Sequence, residues 1–505
     1  MGGGLRFQPR RGPLAEGRRR GESRCARGDR PRRGPARSRG LLRALLGSTF
    51  LIAAASAAQA QDATWLAAPG SNNFNTGTNW DTGTTPGSGA TAFFGPSNTT
   101  SVTLTTTAVG GITLNAGAAN YTFGVASGTA TVDGAGFVVN GGTATLNIDT
   151  GATRLIFSNN SSAGTIAINN NSSQTGAGGL NFLHFSTAAN ATITTASGSI
   201  TLFDNHSTAG NATITTQNGA GTSFTGSAAG GTSRHIIDAG GAVDIATVAS
   251  GTITLGSIEG AGTMHIGPNI LTIGSNNLST TFSGALTGSI GRFIKDGTGT
   301  LTLSGSSSTY GGDTTINGGT LAVNGSLTNS SGIIVNNTGT LGGTGAVPTV
   351  TVNNGGALAP GNSIGTINVN GNVTFNAGST YNVEVSPSAA DKTVATGTAS
   401  LTGGTVQATF QAGSYLTKHY TILTSAGLGG TTFSGLNTIS LPTGFTAVLS
   451  YTLTDAILYL TADLGALPTA GLSGSQQGVA NTLNNFFNNG GALPPASYGR
   501  KLVTG

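Results

Sequence analysis

The sequence predicts an all-β chain wound as a right-handed parallel β-helix, with an N-terminal signal peptide and a short C-terminal helix. Three observations predict it. First, the tract Phe293–Val323 holds short β-branched runs (Thr300–Leu303, Thr314–Ile316, Thr320–Val323) separated by glycine-rich corners, with no helical period. Thr, Val and Ile suit a pleated surface, and glycine supplies the positive φ that tight corners need. Second, Phe157, Phe182, Phe203 and Phe224 recur at spacings of 25, 21 and 21 residues, and the segments they open are alike. Self-similarity at a fixed period marks stacked coils. Third, 84 of 505 residues are glycine and only 8% are charged, yet 37% are hydrophobic. Disorder needs low hydrophobicity and high net charge, so a thin, elongated β core is the expectation.

Residues 1–60 read as a basic N-terminus and signal peptide. Residues 1–43 hold 14 Arg and 3 acids, a net of +11, while the remainder holds 8 Lys and Arg against 14 acids, a net of −6. The overall +5 therefore belongs to the N-terminus. Without that segment no basic surface remains, and no nucleic-acid partner is expected. Ala44–Ala58 is apolar but shorter than the ~20 residues of a membrane-spanning helix. Ala58-Gln59-Ala60 is a small-residue cleavage site that puts the cut between Ala60 and Gln61. Met1–Gly40 is either an extended positive region or lies upstream of the true start. Cys25, the only cysteine, precedes the cut. So does Arg27-Gly28-Asp29, a tripeptide that resembles an integrin-binding motif. The mature chain then has no thiol, and stacked strands must supply its stability.

Residues 61–100 hold both tryptophans, Trp65 and Trp80, and turn signals at Pro69-Gly70, Thr76-Gly77 and Pro86-Gly87. They are expected to cap the first coil, because an open sheet end invites pairing with other chains. Residues 101–354 form the β-helix with degenerate repeats. Equivalent phenylalanines should stack as a ladder inside the tube, and the corner asparagines, such as Asn336 and Asn353, should stack as hydrogen-bonded ladders. Residues 355–465 are less repetitive and richer in large apolar residues, from Phe410 to Tyr459, and read as a C-terminal β-helix core. Residues 466–505 begin at a Leu467-Pro468 linker. Val479, Leu483, Phe486 and Phe487 then lie at helical spacing within Gln476–Phe487. At roughly 22 residues per coil, about 365 residues make about 16 coils, or roughly 75–80 Å of stacked strands.

The tract Phe293–Val323 resembles the autotransporter-associated β-strand repeat of bacterial type V secretion passengers. The resemblance rests on Lys295, Gly297, Gly299, Thr300, Leu301, Thr302, Leu303, Gly305, Tyr310, Gly312, Ile316, Gly319, Thr320, Leu321 and Val323. Ser308 and Asp313 stand where that family has Asn and Gly. Flanking segments extend it: Trp65, Phe74, Asn79-Trp80 and Phe93-Phe94 at the start, Ala359–Gly365 and Tyr420–Ser425 later, and Gln476–Phe487 before the expected barrel. The resemblance implies export, display at the cell surface or outer membrane or release outside the cell, and an outer-membrane translocation barrel as partner. None of the alternating ~10-residue strands of such a barrel follow in this sequence. The expectation is a passenger without its translocator, periplasmic if the barrel is truly lost.

Catalytic, cofactor and metal residues are not expected. A nucleophile would need a base and an orienter. His235 follows Arg234 and lies near Asp238, but no serine sits in a nucleophile elbow. His184 and His206 fall one position apart in the repeat and read as solvated loop residues. Asp204, Asp238 and Asp244 are scattered; a glycan-cleaving pair would need to lie on adjacent coils. The expected role is that of a structural, adhesin-type passenger that meets a host surface, other cells or glycans through many shallow contacts along an extended face. The alternatives are a β-helix enzyme acting on polysaccharide and a truncated, non-functional remnant.

Overall fold

The computed structural model describes residues 60–463, apart from 152, 174–178, 307 and 417, together with 472–489. The Arg-rich start, the apolar run before the cut, Cys25 and the Leu467-Pro468 linker lie outside the described residues. Ala60 and Gln61 are exposed.

The strands stack into three sheets of a parallel β-solenoid. The first sheet has eleven strands, from Ala63–Thr64 to Ala285–Thr287. The second has sixteen, from Ser101–Leu104 to Gly435–Ile439. Fifteen inter-strand steps of about 4.8 Å make the second sheet about 70 Å long. The third has twelve and begins at Thr252–Leu255. In earlier coils its place between the first and second sheets is held by single bridges linking Gly136, Ser162, Thr187, Thr208 and Ala229 in turn. The first sheet stops as the third takes over, so the second sheet alone runs through both halves. Among the described strands of the sheets, pairing turns antiparallel at the end of the third sheet, where His419–Thr424 meets Asp455–Ala462, which folds back on Phe445–Tyr451.

Strand alternation builds the core. In Arg154–Phe157, Thr213–Thr216 and Thr300–Leu303 every second residue is buried. The expected aromatic ladder is present. Phe157, Phe182, Phe203 and Phe224 are in register and stacked, with ring centroids 4.9, 4.8 and 4.8 Å apart and planes within 10°. The asparagine stacking expected at the corners Asn169–Asn171, Asn336-Asn337 and Asn353-Asn354 is present and takes in further residues: Asn169 donates to Asn147, Asn336 to Asn317, Asn353 to Asn336 and Asn376 to Asn353, at 2.8, 2.9, 2.8 and 2.8 Å.

The first coil is covered by aromatic residues. Trp80 lies edge-on to Trp65, Phe74 and Phe94 at 5.1, 4.9 and 5.6 Å, and its indole N–H donates to the Phe74 carbonyl. At the other end the helix Gly474–Asn488 starts with a capping box between Ser473 and Gln476. Phe487 packs edge-on against Phe445, whereas Val479, Leu483 and Phe486 are exposed. Among the described residues no helix is long and apolar enough to cross a membrane.

A glycine column fixes how closely the middle coils approach. A Cβ on Gly305 would lie 2.2 Å from the carbonyl oxygen of Gly284, one on Gly325 1.9 Å from that of Gly305, and one on Gly345 2.1 Å from that of Gly325. Gly325→Ala should therefore cost about 1–3 kcal/mol by forcing two backbones apart. Chemical denaturation of the variant checks this, and an unchanged midpoint would mean the corner moves freely.

Candidate functional site

The coil around Phe293–Val323 explains its own residue pattern. Lys295 stands in an inner column between Ile273 and Ile316 and is 1% exposed. Its stem fills the place of an aliphatic side chain, and its ammonium donates to the carbonyls of Asp296 (2.7 Å) and Gly318 (3.1 Å). Burial pushes its pKa down, and the neighbouring Asp296 partly offsets this. Gly297 and Gly319 have φ of 68° and 58° and turn the corners that present those carbonyls. Gly299 lies under the corner at Gly319, where a Cβ would sit 2.5 Å from the Gly299 carbonyl oxygen. Tyr310, 1% exposed, accepts the Phe293 N–H at 2.8 Å and donates to the Asp313 carbonyl. Leu301, Leu303, Ile316, Leu321 and Val323 are buried, and Thr300 faces outward beside them. This coil is a self-bracing corner.

The second sheet has the most strands of the three, and its outer face carries rows of threonine. Thr300, Thr320 and Thr340 lie in register on successive coils, as do Thr192 with Thr213, Thr194 with Thr215, and Thr380 with Thr405. They are half-buried or exposed, with methyl and hydroxyl groups pointing outward. Charge interrupts the face at Arg234 and Glu259, the only salt bridge among the described residues, and again at Glu384. A groove beside that pair is lined by Thr280, Thr281, Thr300 and Thr302.

Among the described residues the histidines and acids show no assembled catalytic group. His235 is fully buried in the inner column of Ile193, Ile214 and Ile258. Its Nε2 lies 2.9 Å from the Ser233 hydroxyl, its Nδ1 has no partner, and burial lowers its pKa to about 4. It is a core residue, and its nearness to Asp238 is only along the chain. His184 and His206 are exposed; His206 stacks on exposed Phe185 at 5.1 Å. Asp204 accepts the Thr225 hydroxyl. Ser223, Asp244 and His265 do stack on successive coils, but the carboxylate is in the middle and His265 pairs with Thr287. No serine is thereby placed against a base. Among the described residues no three His, Cys, Asp or Glu side chains are grouped to hold a metal ion.

One arrangement escaped the sequence reading. Glu384 and Asp391 share a cavity of about 300 Å³ with Asn382 and Gln407. Asp391 is 2% exposed and accepts the N–H groups of Gly365 and Glu384, both at 2.8 Å. Burial pushes its carboxyl up to about 7, and the adjacent Glu384 adds to this. No lone segment announces the cavity, because its walls come from separate coils.

Residues 293–323 match the passenger-associated-transport-repeat family. No curated protein matches the chain. The repeat and the solenoid give no indication of catalysis. A passenger-associated repeat set in a parallel β-solenoid fits an autotransporter passenger domain.

Proposed function

We propose that this chain is an exported, adhesin-type passenger that binds neutral, hydroxyl-rich surfaces, such as glycans on host or neighbouring cells, along the outer face of its second sheet. Delivery to the cell surface or the exterior would use an outer-membrane translocation barrel. The observation that supports this reading is the sixteen-strand face with its in-register threonines and few charges. Each threonine offers one methyl and one hydroxyl, so a single contact is weak. Repetition at the strand spacing lets many weak contacts act together on a partner that is itself repetitive.

Purified full-length protein should be retained on particles of an insoluble neutral polysaccharide. Changing Thr192, Thr194, Thr213 and Thr215 together to lysine should reduce retention by about tenfold or more. Matched lysines on the outer face of the first sheet should change little. Equal retention of both variants would remove the second sheet from the binding surface, and no retention of the unmodified protein would refute the reading.

A further inference from the structure

The cavity beside Glu384 has a chemistry of its own. It opens on the outer face of the second sheet, bounded by the corner at 359–363 and by Asp391, which follows the tight turn at 386–390. The turn is closed by a bridge between Val385 and Ala390 and by Ser386 N–H donating to the Ala389 carbonyl at 2.8 Å. Asp391 ties both walls to the sheet through its two accepted N–H bonds. Gly361, at φ 90°, lets the corner approach: a Cβ there would lie 2.8 Å from Asp391 Oδ1 and 2.0 Å from the Ser363 carbonyl oxygen. The walls are thus held by the fold.

The floor comes from neighbouring coils. Asn382 is in register with Gln407, and Glu384 with Thr409. Side-chain amides both donate and accept, hydroxyls do likewise, and the carboxylates accept. The Asn382 Oδ1 is shielded from solvent and has no hydrogen-bond partner. Glu384 accepts only a 3.3 Å contact from the Ser363 hydroxyl. The Asn382 oxygen and the Glu384 carboxylate therefore leave the lining with unmet acceptors. It also includes no lysine or arginine, so an anionic ligand would meet two carboxylates without a counter-charge. An apolar ligand would strand the amides. A ligand with several hydroxyl donors satisfies every group, and about 300 Å³ lies at the small end of ligand pockets.

We propose that this cavity is a binding subsite for a neutral saccharide ring. The proposal deepens the adhesin reading and rests on it, supplying one specific pocket on a face of otherwise shallow contacts.

The test is saturation-transfer NMR on the full chain at pH 7.5 with EDTA, using the methyl glycosides of glucose, galactose, mannose and N-acetylglucosamine, with methyl glucuronide as the anionic control. At least one neutral glycoside should show saturable transfer. Gln407→Ala and Asn382→Ala should each weaken it by about fivefold to tenfold, the loss of roughly one hydrogen bond. Both residues face outward, and an unchanged thermal midpoint will show the variants folded. Methyl glucuronide should give no transfer. The proposal fails if no neutral glycoside binds, if glucuronide binds equally well, or if both variants bind as the unmodified protein does. It also fails if no sugar binds while calcium chloride, without EDTA, raises the midpoint in a manner that Glu384→Gln abolishes; the cavity would then be a cation site. The threonine variants on Thr192–Thr215 leave this cavity intact. Loss of glycoside binding with polysaccharide retention preserved would refute the pocket alone.

Discussion

Leu301→Asp is expected to melt the coils around the repeat, at a cost on the order of 5 kcal/mol. Leu301 is 1% exposed and stands in an inner column with Leu321, Leu341 and Leu358. The substitution removes a packed side chain and leaves a carboxyl with no partner in the tube. Leu303→Asp, at 4% exposure in the next inner column, should behave alike. Each coil of a solenoid is stabilised chiefly by its neighbours, so one failed coil weakens those on either side. The control is one residue away. Thr302 points outward, and Thr302→Asp should shift stability by no more than about 0.5 kcal/mol. Thermal unfolding followed by circular dichroism decides the matter. Equal midpoints for Leu301→Asp and Thr302→Asp would mean that strand alternation does not divide core from surface here.

The second large effect is one that the unmodified protein should conceal. His235 has a folded pKa of about 4 against an ordinary 6.5. Between those values the unfolded chain carries a proton that the folded chain excludes. Stability from His235 is therefore full above pH 6.5 and lost as pH falls toward 4, by about 3 kcal/mol. Asp391 runs the other way. Its folded pKa is about 7 against an ordinary 3.8, so within that window the folded chain holds the extra proton. Its contribution improves as pH falls from 7 to 4, by about 4 kcal/mol. The groups around each are few. His235 faces the Ser233 hydroxyl and the edge of Phe224, and Asp391 faces Glu384 and two backbone N–H groups. The two slopes oppose and nearly cancel. Denaturant midpoints of the unmodified protein should change little between pH 7 and 4 on their account. His235→Ile, which completes the isoleucine column, should become more stable with acid relative to the unmodified protein. Asp391→Asn should become less stable. Parallel pH profiles for all three proteins would show that neither group resists its ordinary charge state.

The parts of this fold that were legible in the sequence are those that recur at a fixed period. The phenylalanine ladder was readable because identical rings fall one coil apart, and identical side chains can stack only if the coils are in register. Lys295, Tyr310 and the glycines near them formed a recognisable tract because one corner geometry needs all of them. His235 was harder. Arg234-His235-Ile236-Ile237 puts isoleucine on both faces of the strand, so polarity does not reveal that histidine points inward and Ile236 outward. The passage from first to third sheet was not legible either. It changes which side of a coil is a strand, while the spacing and composition stay the same. The cavity at Glu384 was hidden for another reason: Asn382, Asp391 and Gln407 meet only after two coils have stacked, and each alone resembles a solvated corner residue.

The second sheet keeps one pattern while the other two sides of the solenoid exchange places. A coil taken out between equivalent points, such as the 21 residues from Phe182 to Phe203, would bring together surfaces that already match. The inner ring, the outer threonines and the corner would each find a neighbour of the same kind. A change in copy number at the level of the gene would therefore alter the length of the solenoid without altering the kind of surface it carries. Such a chain is a ruler whose graduations are preserved whatever its length, and related strains can be expected to differ first in the number of its marks.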